Sequence, residues 1–494
     1  MPVSEEQILY ASDTDEAGRR VLARRAATGK LVRLYSGAYT ADVDSPPQDT
    51  IRRNLWHIVG REFPGAVITD ASIADPTGGT GHELFVVANR RRSLALPGMT
   101  IKPRVGQGHI DLDVSLPDGL WLASEPRALL DNLVQSRPNA TGRRRTLGQE
   151  WVEVRLDRIC EERGEAALNS IRDIAREMAS KLDREKQMDK LDSLISATLT
   201  THPSSILTTP QLRARASGEP FDTARIQLFQ RLVEDLHNLA PATVSVLKAD
   251  ESRRALLPFY EAYFSNYIEG TEFTLLEAAD IIFKGDMPLN RPADAHDISG
   301  TFKITNSLSE MSRTPSSSED LLVMLKERHA VLMGGRPEVG PGKFKERANR
   351  AGSTEFVAPT RVLGTLQQGF DLATNLIDPF SRAVYLMFLL TEVHPFTDGN
   401  GRIARIFMNA ELVSAGQARI VIPTVYRLNY LSALKAATQR TSNRPLIAGL
   451  SFAQRWTGRM NWSDAETAFK DLERTNALRD AQEAESAGIR LELP

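Results

Sequence analysis

At 494 residues the chain exceeds the roughly 250 to 300 residues at which a single hydrophobic core stops growing, so two or three domains are expected. With 41% hydrophobic and 25% charged residues, and 61 basic against 63 acidic side chains for a net charge of -2, the composition excludes a disordered chain and a whole-molecule field for nucleic acid. The single cysteine, Cys160, excludes an intramolecular disulfide framework and a cysteine-rich zinc site, and is expected as a small buried hydrophobe in a reducing compartment.

Acidic Glu5 and Glu6 near the N-terminus do not read as a secretory signal, and the longest clean apolar run, Ala383 to Leu390, is far short of a bilayer span. The expected location is the cytoplasm, with no membrane partner. Residues 1–60 combine short helical signals with a turn-rich ribbon, Gly29 to Thr40, that alternates like a small hairpin; a helix, turn and wing have this pattern. Residues 61–140 hold strand-like pieces at Ala66–Thr69, Glu83–Val87 and Leu120–Ala123, punctuated by glycine and proline, and are expected to mix α and β.

Residues 141–205 turn helical and heavily charged, with Leu156, Ile159, Leu168, Ile171 and Ile174 at spacings of three or four. The polar stretch Thr198 to Ser205 is the linker candidate, and residues 206–494 read almost entirely as helix.

The most informative segment is His394-Pro395-Phe396-Thr397-Asp398-Gly399-Asn400-Gly401-Arg402-Ile403-Ala404-Arg405. An apolar helix runs into His394, and Pro395 forces the chain to turn because the residue before proline is pushed out of the α region. Helical periodicity resumes at Arg402, so a glycine-rich loop opens a helix. Free N–H groups and the positive dipole end at a helix N-terminus suit phosphate, and Arg402 and Arg405 add two cations on one face. The arrangement predicts a polyphosphate cradle with a histidine and a carboxylate beside it.

These residues resemble the signature of the Fic family, in which His, Phe, Asp or Glu, Gly, Asn, Gly, Arg and Arg stand at these spacings; all eight positions are present. The resemblance implies an all-α domain that transfers AMP from ATP to a Ser, Thr or Tyr hydroxyl of a target protein or of the chain itself. By it, His394 is the general base, Asp398 the ligand of Mg²⁺, Asn400 with the Gly399 and Gly401 amides the holders of phosphate oxygens, and Arg402 and Arg405 clamps for the outer phosphates. Phe396 is expected to anchor the loop in the core. Other members transfer UMP or phosphocholine, so ATP is the family's expectation.

Upstream, Ser265-Asn266-Tyr267-Ile268-Glu269-Gly270 places Ser265 and Glu269 four apart on one helical face, with Gly270 suited to a helix end. It resembles the family's inhibitory motif, which implies a salt bridge from Glu269 to Arg405 that blocks productive ATP binding. In some members the same glutamate supports removal of AMP. Residues 343–359, with Phe344, Arg347, Gly352, Phe356 and Val357, stand where the family carries a β-hairpin flap that aligns the target by main-chain pairing. Tyr430 stands where relatives place an aromatic near adenine, and reads equally well as core.

The first 135 residues resemble winged-helix antitoxins of the AbiEi type, through Gly29–Thr40 and Leu122–Asp131. Two basic clusters, Arg19, Arg20, Arg24, Arg25, Lys30 and Arg33, then Arg90, Arg91, Arg92, Lys102 and Arg104, suit phosphate contacts, although residues 1–150 balance 19 basic against 18 acidic side chains. The expected architecture is therefore multidomain: an N-terminal winged helix and mixed α/β region, a helical connector, and a C-terminal all-α Fic domain with a flap. An autoinhibited AMP transferase is the leading reading. The alternative is a DNA-binding, antitoxin-like regulator that uses the Fic domain as a nucleotide sensor; DNA and a homodimer are the further candidate partners, and a fused defence module fits both resemblances.

Overall fold

The computed structural model describes residues 8–76, 83–140, 142–199, 204–238, 244–246, 251–352, 354–439 and 442–494. Glu5, Glu6 and residues 200–203 of the linker candidate lie outside them. The chain divides into two compact units, Met1–Ser217 and Gly218–Pro494.

The first unit begins with β1 (Leu9–Tyr10), α1 (Glu16–Ala27), β2 (Val32–Tyr35) and β3 (Ala38–Thr40). The strands form an antiparallel sheet in the order β1-β3-β2. Asp15 caps α1 by accepting from the Gly18 N–H at 2.8 Å, and α1 buries only Leu22, against Leu31 and Tyr39. Helices α2 (Pro47–Arg53) and α3 (Leu55–Glu62) precede a six-stranded mixed sheet of β4 (Val67–Ile68), β5 (Glu83–Val87), β6 (Leu94–Leu96), β7 (Met99–Arg104), β8 (Val114–Ser115) and β9 (Trp121–Leu122), in the order β6-β7-β5-β4-β9-β8. The β4–β9 and β5–β7 pairs are parallel. Ile58 and Val59 of α3 share one hydrophobic core with Val86 and Ile101 of this sheet.

Helices α4 (Glu125–Asn132), α5 (Gly148–Arg163), α6 (Glu165–Ala179), α7 (Glu185–Thr198) and α8 (Pro210–Ala216) share a separate core. Leu156, Ile159, Leu168 and Ile171 are buried there as their helical spacing requires, with Ile174 at the rim. Cys160 is half-buried rather than buried, because it sits beside the Arg215 guanidinium at the edge of that core. Next to it lies a closed charge network: Arg104 pairs with Asp70 at 2.8 Å and Asp131 at 2.9 Å, Arg145 with Asp70 at 2.9 Å, and Arg184 with Asp131 at 2.9 Å.

The second unit is helical: α9 (Thr223–His237), α10 (Leu257–Ile268), α11 (Leu275–Ala279), α12 (Pro292–Thr305), α13 (Leu308–Met311), α14 (Ser318–Leu332), α15 (Val362–Ala373), α16 (Pro379–Val393), α17 (Asn400–Ser414), α18 (Arg427–Thr438), α19 (Arg444–Arg459), α20 (Ala465–Arg474) and α21 (Ala481–Ala487). A hairpin, β10 (Arg350–Ala351) with β11 (Thr354–Glu355), lies between α14 and α15. Helix α16 is apolar nearly all round, so burial on every side is the only environment that suits it, and it runs through the largest core. Among the described residues, no helix is long and apolar enough to cross a membrane.

Candidate active site

The site forms where the C-terminus of α16, the N-terminus of α17 and the C-terminus of α10 meet. Asp378 caps the start of α16 by accepting from Ser381 N–H, and the helix ends at His394, whose backbone is left-handed with φ of 52°. Helix α17 then starts at Asn400 with Gly399 as its N-cap residue, so no side chain satisfies its first amides from that position.

His394 is half-buried, and its ring lies flat on Phe356 with centroids 3.7 Å apart. Its Nδ1 is 3.1 Å from the Thr391 carbonyl oxygen. Since a carbonyl only accepts, Nδ1 carries the proton in the neutral ring, and Nε2 keeps its lone pair. Burial pushes the imidazole pKa down to about 4, helped by Lys345 and opposed by the Thr391 carbonyl, Glu269 and Asp398.

The loop between the helices is pinned from inside. Phe396 is fully buried and stacks on His329 at 3.7 Å, the anchoring position expected of it. Asn400 accepts from Phe396 N–H at 2.8 Å and donates to Phe396 C=O at 2.9 Å. Both ends of that side chain are thus committed to the loop's own backbone. Asp398 projects outward with its side chain half exposed, while its carbonyl accepts from His329 Nε2 at 3.0 Å. Gly342 N–H donates to His329 Nδ1 at 2.9 Å, which fixes the neutral tautomer of His329.

The two arginines have unequal partners. Arg402 pairs with buried Asp297 at 2.6 Å, donates to Asn266 Oδ1 at 3.2 Å and lies 3.6 Å from Asp398. Asp297 is in turn held by Arg336 at 2.9 Å. Arg405 donates to Ser265 Oγ at 2.9 Å, to Ser265 C=O at 2.8 Å and to Glu269 Oε1 at 2.7 Å. Glu269 stands one residue past the last turn of α10, not within it, and Gly270 takes the left-handed conformation with φ of 90° that ends such a helix. A Cβ built on Gly401 would collide with the Glu269 carboxylate, so that carboxylate lies against the first turn of α17.

The structure therefore gathers His394, Asp398, Gly399, Asn400, Gly401, Arg402, Arg405, Ser265 and Glu269. Tyr430 is buried in the core behind them, its hydroxyl 3.4 Å from Met387 Sδ. Sequence reasoning missed Asp297, Arg336, His329, Lys345 and Asn349. For His329 a signal existed: it follows Leu321 and Leu325 at four-residue steps on α14, a core-facing position. Asp297 carried none. In the first unit, Arg104 is consumed by Asp70 and Asp131, Arg90 pairs with Glu62 at 3.1 Å and Lys102 with Glu83 at 3.7 Å. The second basic cluster is thus largely neutralised by local acids, whereas Arg24, Arg25 and Arg33 on α1 and β2 are exposed.

Residues 321–412 match the model of the Fic/DOC family, and the chain carries a Fic domain. Protein adenylyltransferase fic-1 of Caenorhabditis briggsae is 26% identical over 234 residues, 45% of this chain and 45% of that protein. Protein adenylyltransferase Fic of Drosophila erecta is 29% identical over 224 residues, 43% of this chain and 44% of that protein. The chain thus matches less than half the length of these curated relatives. Among solved structures, Fic-1 from C. elegans is 21% identical with a TM-score of 0.36, over 62% of this chain and 90% of that chain.

Proposed function

We propose that the chain transfers AMP from ATP to a Ser, Thr or Tyr hydroxyl of a protein, itself included, and that Glu269 holds this activity down. The observation that carries the reading is the Glu269 carboxylate lying on Arg405 and against Gly401, at the helix N-terminus where an anion belongs. The names of the curated relatives support the same reaction class.

His394 Nε2 takes the proton of the attacking hydroxyl, since Nδ1–H is spent on Thr391. The hydroxyl oxygen bonds to the α-phosphorus as the bond to the bridging oxygen of the β-phosphate breaks, and pyrophosphate leaves. Helix α17 presents its first amides to the phosphates, Asn400 keeps the loop in shape, and Arg402 acts from its fixed pairing with Asp297. Arg405 becomes available when Glu269 swings away. Magnesium takes few protein oxygens and completes its shell with waters and phosphates, so the single outward carboxylate of Asp398 suits it; among the described residues no group of three or more ligating side chains could cage it alone. When bound, the ion would offset charge on the phosphates. The hairpin β10–β11 and its flanks would hold the target segment, and Tyr430 would back the site from the core. A role for Glu269 in removing AMP belongs to the same geometry.

The test is transfer of label from α-labelled ATP with Mg²⁺. Label on protein with Glu269→Gly, little with the wild type and none with Glu269→Gly combined with His394→Ala is the expected pattern. No label from any variant would sink the proposal.

A second reading concerns the first unit. Exposed Arg24, Arg25 and Arg33 beside a short antiparallel sheet favour DNA contact by a winged-helix, AbiEi-like module. A mobility shift on promoter DNA at low salt that weakens with added salt is expected; no shift counts against it.

A further inference from the structure

The left-handed backbone of His394 is unfavourable for a residue with a Cβ, so neighbouring structure must impose it. The segment leading into the hairpin bonds to the backbone on both sides of His394. Three carbonyls flank or adjoin His394, those of Val393, Pro395 and Phe396, and each accepts a hydrogen bond from it. Lys345 Nζ donates to Val393 C=O at 3.3 Å, Lys345 N–H to Pro395 C=O at 2.9 Å, and Asn349 Nδ2 to Phe396 C=O at 3.0 Å.

The two side chains are also joined, Lys345 Nζ donating to Asn349 Oδ1 at 2.7 Å. Asn349 C=O accepts from Phe356 N–H at 3.2 Å, and Phe356 carries the ring stacked on His394. On the far side, Arg225 donates to the Glu355 carbonyl of β11 at 2.5 Å and pairs with Glu392, two residues before His394. The hairpin and the histidine therefore share one frame.

Lys345 is buried with no carboxylate paired to it among the described residues. Burial pushes its ammonium pKa down to about 8, with Arg225 acting in the same direction. An unpaired buried cation weakens a fold, so stability alone does not account for its presence.

We propose that Lys345 and Asn349 are positioning residues for His394, holding its backbone and ring so that seating a target segment on the hairpin and aiming Nε2 are a single event. The idea rests on the AMP-transfer reading for its consequence but not for its geometry. Two readouts on the full chain separate them. In histidine imidazole NMR, with His394 assigned by His394→Gln, the protected Nδ1–H signal of His394 is expected in the wild type and in Lys345→Arg. It should shift or vanish in Lys345→Met and in the milder Asn349→Ala, while the Nε2–H signal of His329 stays. A His394 signal unchanged in both variants overturns the proposal, whatever reaction the site performs.

In the Glu269→Gly background, Lys345→Met should lower kcat for AMP transfer roughly 10- to 100-fold, the scale expected of a misaligned reacting group. ATP affinity should stay within about twofold, and Lys345→Arg should restore the rate. ATP binding lost in equal measure, or loss of the His329 signal as well, identifies a merely structural role and overturns it. If Glu269→Gly transfers no AMP at all, the functional reading falls while the NMR result still decides this one.

Discussion

Both units bury arginines against carboxylates, yet they do so in opposite ways. In the first unit, Arg104 is shared by Asp70 and Asp131, whose side chains are 0% and 2% exposed. In the second, Arg405 depends on Glu269, which is 35% exposed and stands at a helix end. The carboxylates of the first network are enclosed and cannot leave their arginines without unfolding, whereas Glu269 is already partly in water. Arg402 belongs with the first kind, because Asp297 is 1% exposed. The contrast teaches that one arginine of the loop is held by an enclosed acid and the other by a partly exposed one.

Breaking the closed network should have the larger effect on stability. Asp131→Ala leaves Arg184 without its carboxylate and Arg104 with Asp70 alone, and a loss of about 3 to 5 kcal/mol in the unfolding of the first unit is expected by calorimetry. Glu269→Gly tests the other side of the comparison: Arg405 keeps its bonds to Ser265 Oγ and C=O, so a smaller loss of stability than in Asp131→Ala is expected, while AMP transfer rises. A large drop in melting temperature for Glu269→Gly would make that pair structural.

The smallest effect concerns pH. His394 and His329 both have folded pKa values near 4, lowered mainly by burial from an ordinary value near 6.5. The unfolded chain therefore binds more protons between those values, so their contribution to stability is present above about 6.5 and is lost as pH falls toward 4. For the reaction, the same direction keeps His394 neutral and able to accept a proton across that window. The acid limb of AMP transfer by Glu269→Gly should lie well below 6.5; a limb at 6.5 would contradict the desolvation of the His394 ring.

Much of the site was legible because it is local. His394 through Arg405 form one turn and the start of one helix, and Pro395, Gly399 and Gly401 announce that turn by their backbone chemistry. The strands at Val67–Ile68, Glu83–Val87 and Trp121–Leu122 were legible for a similar reason, each lying within a short apolar run bounded by turn residues. Asp297, 105 positions before Arg402 in the numbering, had no such mark, and nothing in its own helix distinguishes it from a solvated aspartate. Arg104 misled in the opposite sense: grouped with Arg90, Arg91 and Arg92 it reads as a phosphate contact, and only its distant partners reveal that it is internal.

The sequence by itself determined the chemical groups of the candidate site and their order, because spacing along a loop and a helix start is set by backbone geometry within a few residues. Only the tertiary structure decided which of those groups are already taken. Asn400 is engaged by Phe396, Arg402 by Asp297, Arg405 by Glu269 and Ser265, and the backbone around His394 by Lys345 and Asn349. Apart from the four-residue link between Asn400 and Phe396, these bonds join segments about fifty to more than a hundred residues apart; they depend on how helices pack, and no local pattern encodes that distance.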